Sequence, residues 1–120
     1  MSQLSRIILI VAMNVLMYVL AVERYSDQFD DIDMDAILRN DTQREEYHKC
    51  YMNTGPCNTM QEALTELYGE ALLTNCKKCT ETQKGWMEKI IKWYAKYDTE
   101  TLFQQIAKAA INMQKQKTAD

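Results

Sequence analysis

Cys50-Tyr51-Met52-Asn53-Thr54-Gly55-Pro56-Cys57 and, eighteen residues later, Cys76-Lys77-Lys78-Cys79 contain every cysteine of this 120-residue chain. Each cysteine has one near neighbour. Local pairing, Cys50 with Cys57 and Cys76 with Cys79, is favoured because short loops keep thiols at high mutual concentration and Gly55-Pro56 supplies a turn. Four cysteines still allow three connectivities, and the sequence does not choose among them. Loops this small remove only about 2–2.5 kcal/mol of unfolded-state entropy each. They fix corners, so the segments around them must carry the fold.

Those segments read as helices. Between the pairs, Met60, Ala63, Leu64, Leu67, Tyr68, Ala71 and Leu72 step by three and four along one side of a helix. Thr59-Met60-Gln61-Glu62 is a capping-box pattern that opens it. Gly69 weakens this helix without being expected to end it. After the second pair, Thr80-Glu81-Thr82-Gln83 repeats the pattern and opens a helix to about Lys96. Its stripe is Met87, Ile90, Ile91 and Tyr94, with Trp86 and Trp93 on an adjoining face. Asp98 or Thr99 caps a further helix bearing Leu102, Phe103, Ile106, Ala109, Ala110 and Met113. A break near Ala109 would divide it, and the polar tail from Gln114 is expected to fray.

Upstream, a short helix over Asp33 to Asn40 turns Ile37 and Leu38 inward. Asp41 is the expected cap of the next helix, to about Asn53, with Tyr47, Cys50 and Tyr51 inside. Glu23 to Asp33 is polar, acidic and aperiodic, an extended lead-in. With one proline, three glycines and no alternating stretch, the chain is all-α, a small irregular bundle of five to six helices.

Before the bundle, Arg6 precedes a run from Ile7 to Leu20 that lacks charge and is apolar except for Asn14 and Tyr18. A comfortable membrane span needs about 20 apolar residues. The run fits a secretory leader, residues 1–21, with Val19-Leu20-Ala21 as the cleavage site. A secreted, extracellular domain over residues 22–120 then follows, with no stable membrane insertion once the leader is removed. Oxidising surroundings favour disulfides. Residues 22–70 carry twelve acids and four bases, whereas residues 71–120 carry five acids and nine bases. The plain reading is two solvated faces attracting each other; the sharper one is a cationic rim steering a carboxylate. The mildly acidic total offers no footprint for nucleic acid.

Chemistry has few candidates. His48, the single histidine, sits beside Lys49 and Glu46 and reads as a solvated surface residue. There is no nucleophile elbow, no phosphate loop and no histidine pair for a metal. The aspartates between 27 and 35 lack the glycine and terminal glutamate of a calcium loop. Cys76-Lys77-Lys78-Cys79 could lower a thiol pKa, but the strand setting of redox enzymes is absent. Zinc-binding pairs are spaced by two to four residues, unlike Cys50 and Cys57. No enzyme activity, metal or cofactor is therefore expected. Asn40-Asp41-Thr42 is a formal N-glycosylation acceptor, its occupancy open.

Composition is rich in adaptable apolar groups, with seven tyrosines and eight methionines. Periodicity alone does not distinguish a filled core from a hollow one. Here the motifs add something. Phe29-Asp30-Asp31-Ile32-Asp33-Met34-Asp35-Ala36-Ile37-Leu38, Tyr47-His48-Lys49-Cys50, Thr54-Gly55-Pro56-Cys57 and the run Thr74 to Lys84 resemble the insect chemosensory proteins, or OS-D-like family. The resemblance covers about residues 25 to 106. It implies a secreted helical carrier whose two local disulfides frame a hydrophobic channel for a small hydrophobic, fatty-acid-like or semiochemical ligand; a monomer is expected. It also implies that Phe29 and Tyr47 border the channel, that Leu64, Tyr68 and Leu72 line it, and that Met87, Ile90, Ile91 and Tyr94 complete it; Ile37 and Tyr51 join them from the inner faces of their helices. Departures are Phe29 where tyrosine is usual, no proline soon after Cys57, and no aromatic-rich final helix.

The residues themselves leave two other readings open. One is an extracellular interaction or developmental factor with a filled core; the other is a dithiol redox protein.

Overall fold

Six helices follow one another: α1 (Ser2–Ala21), α2 (Met34–Arg39), α3 (Asp41–Tyr51), α4 (Thr59–Thr74), α5 (Glu81–Tyr97) and α6 (Thr99–Ala119). The computed structural model describes residues 2–21 and 23–119, and no strand occurs among the described residues. The chain is all-α, as the periodicity predicts. Five helices follow α1, and α6 neither breaks at Ala109 nor frays at Gln114.

Helix starts are set by side chains that satisfy otherwise unpaired backbone N–H groups. Asp33 Oδ1 accepts the Ala36 N–H at 3.1 Å and starts α2. Asn40, not Asp41, caps α3: its Oδ1 accepts the Gln43 N–H at 3.0 Å. Asp41 instead occupies the first turn, where its carboxylate meets Arg44 at 2.8 Å. The capping box of α4 likewise begins one residue earlier than expected. Asn58 Oδ1 accepts from Gln61 N at 2.7 Å, and Gln61 Oε1 accepts from Asn58 N at 2.9 Å. Asparagine is a stronger cap than threonine, so it takes the position. Thr80 and Gln83 form the expected box at α5.

Both local disulfides are present, Cys50–Cys57 and Cys76–Cys79. The second follows a sharp reversal. Asn75 and Cys76 have φ of 54° and 63°, the left-handed region that ends helices. Cys76 N donates back to Ala71 O at 2.9 Å. Cys79 is thereby buried with Ala71 and Met87 in a core patch that Tyr25, Tyr68 and Leu72 pack against.

The lead-in is strapped to this corner. Tyr25 N donates to Lys78 O at 2.9 Å, and Gln83 Nε2 donates to Ser26 O at 2.9 Å. Aspartates 30, 33 and 35 are spent on Thr80, the α2 cap and Lys89 respectively.

Helix contacts close a ring. α2 touches α3, α3 touches α4, α4 touches α6, α6 touches α5, and α5 returns to α2. Five rods arranged in a ring meet only along their edges, so the side chains pointing to the middle decide whether it is filled. α1 differs: its described apolar side chains, Leu4, Ile7, Ile8, Leu9, Ile10, Val11 and Met13, are all more than half exposed. Among the described residues no helix is long and apolar enough to cross a membrane.

Candidate functional site

The middle of the ring is partly empty. A cavity of about 90 Å³ lies there, walled almost wholly by apolar surface. One water needs roughly 10–15 Å³ on this measure, so several water-sized groups fit in a row. α2 contributes Met34, Ile37 and Leu38, α3 contributes Tyr47 and Tyr51, α4 contributes Leu64, Leu67 and Tyr68, and α5 contributes Trp86, Met87, Ile90 and Tyr94. A larger groove of about 520 Å³ runs outside, between α4 and α6. Both are partly open to solvent, but Glu62, Glu66, Glu70 and Gln116 make nearly half of this groove's lining polar, which suits an apolar guest less well than the first cavity does.

Of the residues singled out in the sequence, Ile37, Tyr47, Tyr51, Leu64, Tyr68, Met87, Ile90 and Tyr94 meet on the cavity wall. Phe29, Leu72 and Ile91 are not on it. Phe29 is half-buried in the turn before α2, where its carbonyl accepts the Ile32 N–H. Leu72 turns to the Cys79 corner. Ile91 follows Ile90 by one residue, which rotates it about 100° around the helix, and it is 39% exposed.

His48 departs from the surface reading. It is half-buried on the cavity wall, because it lies four residues after Arg44 and three before Tyr51 on the inner face of α3. Its Nδ1 is 3.0 Å from Gln105 Nε2. Gln105, 3% exposed, is the hub of a polar end to the apolar cavity. Its Oε1 accepts from the Tyr68 hydroxyl at 2.7 Å, and its backbone oxygen accepts from the Tyr51 hydroxyl at 2.8 Å. The sequence does carry a signal for Gln105: a polar residue three past Leu102 and four before Ala109, both buried, occupies a core position.

Arg44 is the one lysine or arginine on the wall. It is already committed: one nitrogen to Leu38 O at 2.6 Å, another to Asp41, and its plane 3.9 Å over the Trp93 ring. No cationic rim is left at the cavity. Ion pairs join the acidic and basic halves instead, Lys89 with Asp35 and Lys78 with Glu70.

Burial governs the electrostatics. It pushes the phenols of Tyr47, Tyr68 and Tyr94 up from their ordinary range, and that of Tyr51 up to about 12. Tyr51 and Tyr68 also meet edge to face, centroids 5.2 Å apart. The arrangement offers an apolar bed with phenol and amide groups at one end. It brings together no nucleophile and activating base.

Comparison with known proteins gives a family match, similar chains and a similar fold. The profile of the insect pheromone-binding family, A10/OS-D, matches residues 25–118. "Putative odorant-binding protein A10" of Drosophila melanogaster is 39% identical over 70 residues, 58% of this chain; the match spans 45% of that protein, less than half its length. "Ejaculatory bulb-specific protein 3" of the same species is 32% identical over 100 residues, covering 73% of this chain and 79% of that one. Among solved structures, a chemosensory protein in complex with bromo-dodecanol superimposes with a TM-score of 0.67 at 30% identity, covering 79% of this chain and 95% of that one.

Proposed function

The chain belongs to the insect pheromone-binding family, A10/OS-D, and from that premise we propose that it is a non-catalytic carrier of small hydrophobic molecules, held in the cavity between α2 and α6. One observation carries the reading: the helix ring leaves an apolar space of about 90 Å³ at its centre, instead of a filled core. Natural cores close-pack, so a void of this size has a use or lowers stability. Bromo-dodecanol, bound by a structural relative, is an alkyl chain with one small polar end. The cavity here has that same division, apolar along its length and polar at Gln105.

Affinity would come from apolar burial, about 25 cal/mol per Å², less the cost of association. The phenols and the two methionines along the wall, Met34 and Met87, adapt to different shapes, which supports broad selectivity. Residues 1–21 act in this reading as a secretory leader. Their exposed apolar side chains gain nothing from the fold, and the two disulfides suit an oxidising compartment.

Titration with a fluorescent aliphatic probe tests the carrier. Saturable binding, reversed by dodecanol, is expected; no binding and no displacement would remove the reading in favour of a simple helical bundle.

A further inference from the structure

We infer that the Gln105 end of the cavity reads the ligand's head group and selects neutral hydroxyl and carbonyl heads over carboxylates. The inference rests on the carrier reading and narrows its ligand class.

A primary amide offers two N–H donors and two acceptor lone pairs. At Gln105 the structure spends one donor on His48 Nδ1 and one lone pair on the Tyr68 hydroxyl. The Tyr94 hydroxyl stands on the same wall as Gln105. What remains unspent at Gln105 is one lone pair on Oε1 and one N–H, with the Tyr94 hydroxyl nearby on the wall. That is one acceptor and one donor, the complement of an alcohol. A carbonyl head uses the donor alone. Tyr51 has no proton to spare, because its hydroxyl is given to the Gln105 backbone oxygen.

A carboxylate fits poorly. It is acceptor-only, so it would meet neutral donors without a free cation and face the Oε1 lone pair. Arg44, the one lysine or arginine on the wall, is held by Leu38 O, Asp41 and Trp93. The burial that pushes the wall's tyrosines up acts on any carboxylate brought there, since desolvation disfavours whichever form is charged.

The test uses displacement of a fluorescent aliphatic probe from the protein at about pH 8. Dodecanol, methyl dodecanoate and dodecanoate share a chain and differ in the head. The alcohol and ester are expected to compete at least about tenfold better than the carboxylate, and Gln105→Leu to reduce the advantage of the alcohol by roughly fivefold while probe binding persists. Should Gln105→Leu fail to fold, Tyr94→Phe, which deletes only the nearby hydroxyl, is expected to weaken both neutral heads by a similar factor. Dodecanoate competing as well as dodecanol overturns the proposal. An alcohol preference unchanged in both variants overturns it too, because desolvation alone would then account for it. If no chain displaces the probe from the wild type, the carrier reading fails first and the head-group assignment with it.

Discussion

The Thr80 hydroxyl donates to Asp30 Oδ2 at 2.8 Å while accepting the backbone N–H of Gln83 at 3.2 Å. One oxygen thus starts α5 and ties down the lead-in before α2. The Gln83 amide, 1% exposed, completes the tie by donating to Asp30 Oδ1 at 3.2 Å and to Ser26 O at 2.9 Å. Because α5 carries Trp86, Met87, Ile90 and Tyr94, this joint also sets the α5 side of the cavity.

Thr80→Ala removes the cap and the strap together. A lost cap alone costs about 1–2 kcal/mol, so the variant is expected to lose at least that much in urea unfolding. Thr80→Ser, which keeps the oxygen, should lose well under half as much. Equal losses in both variants would place the effect in the methyl group and not in the hydrogen bonds.

Gly85 lies in the interior of α5, and a Cβ built there meets nothing within 4 Å. Alanine restricts the unfolded chain and favours helix, so Gly85→Ala is expected to stabilise by about 0.5–1 kcal/mol. Gly69 is different: a Cβ there would lie 3.3 Å from the Tyr51 hydroxyl and 3.5 Å from Ala109 Cβ. Thermal unfolding should show Gly85→Ala gaining in Tm, with probe affinity unchanged.

Much of this was legible in the residues. Three-and-four stepping located α4 and α5, and cysteine spacing located their corners, because both signals are local. Cap positions slipped by one at Asn40 and Asn58, since a capping box and its neighbour one residue earlier look alike in sequence. His48 and Gln105 were the harder cases. Gln105's place between Leu102 and Ala109 marks it as inward, but its role as a hub becomes readable only when its partners, here on α3 and α4, are brought together by the ring. Leu72 and Ile91 show the converse: an apolar stripe spans more of the helix than one cavity can use, and the neighbouring helices decide which edge of it is enclosed.

Removing Cys50–Cys57 by the double substitution to serine opens a loop with a sequence separation of 7. The chain-entropy estimate for so short a loop is about 2.5 kcal/mol. Far-ultraviolet circular dichroism is expected to keep its helical signal while the urea midpoint falls. Loss of the helical signal in buffer would mean that the bridge, and not the ring of helices, holds α3 against α4.

Alkaline pH should unfold the protein through its tyrosines. The Tyr51 phenol sits at about 12, above its ordinary 10.0, with burial as the cause. A raised acid favours the fold fully below its unfolded value, and that contribution is lost as pH climbs through the folded one. Tyr47, Tyr68 and Tyr94 shift in the same direction. Absorbance titration of tyrosinate is therefore expected to show a late phase above about pH 11 that coincides with loss of helix. A single early phase, with helix intact, would show these phenols to be open to water.

Chain length gives the sharpest reading of the cavity itself. At about 90 Å³ it accepts roughly six to nine water-sized groups. Each methylene buried there is worth about 0.8 kcal/mol, or nearly fourfold in Kd. A series of primary alcohols should therefore tighten steeply with each added carbon until the space is full. Beyond that point the helices must part, and each further carbon is expected to gain much less. Met87→Ala enlarges the wall at a residue 7% exposed, so it should move the break to longer chains while costing about 2–5 kcal/mol of stability. A slope that runs unbroken past dodecanol in the wild type would mean that the ring opens at no cost. The volume at its centre would then be no guide to what it carries.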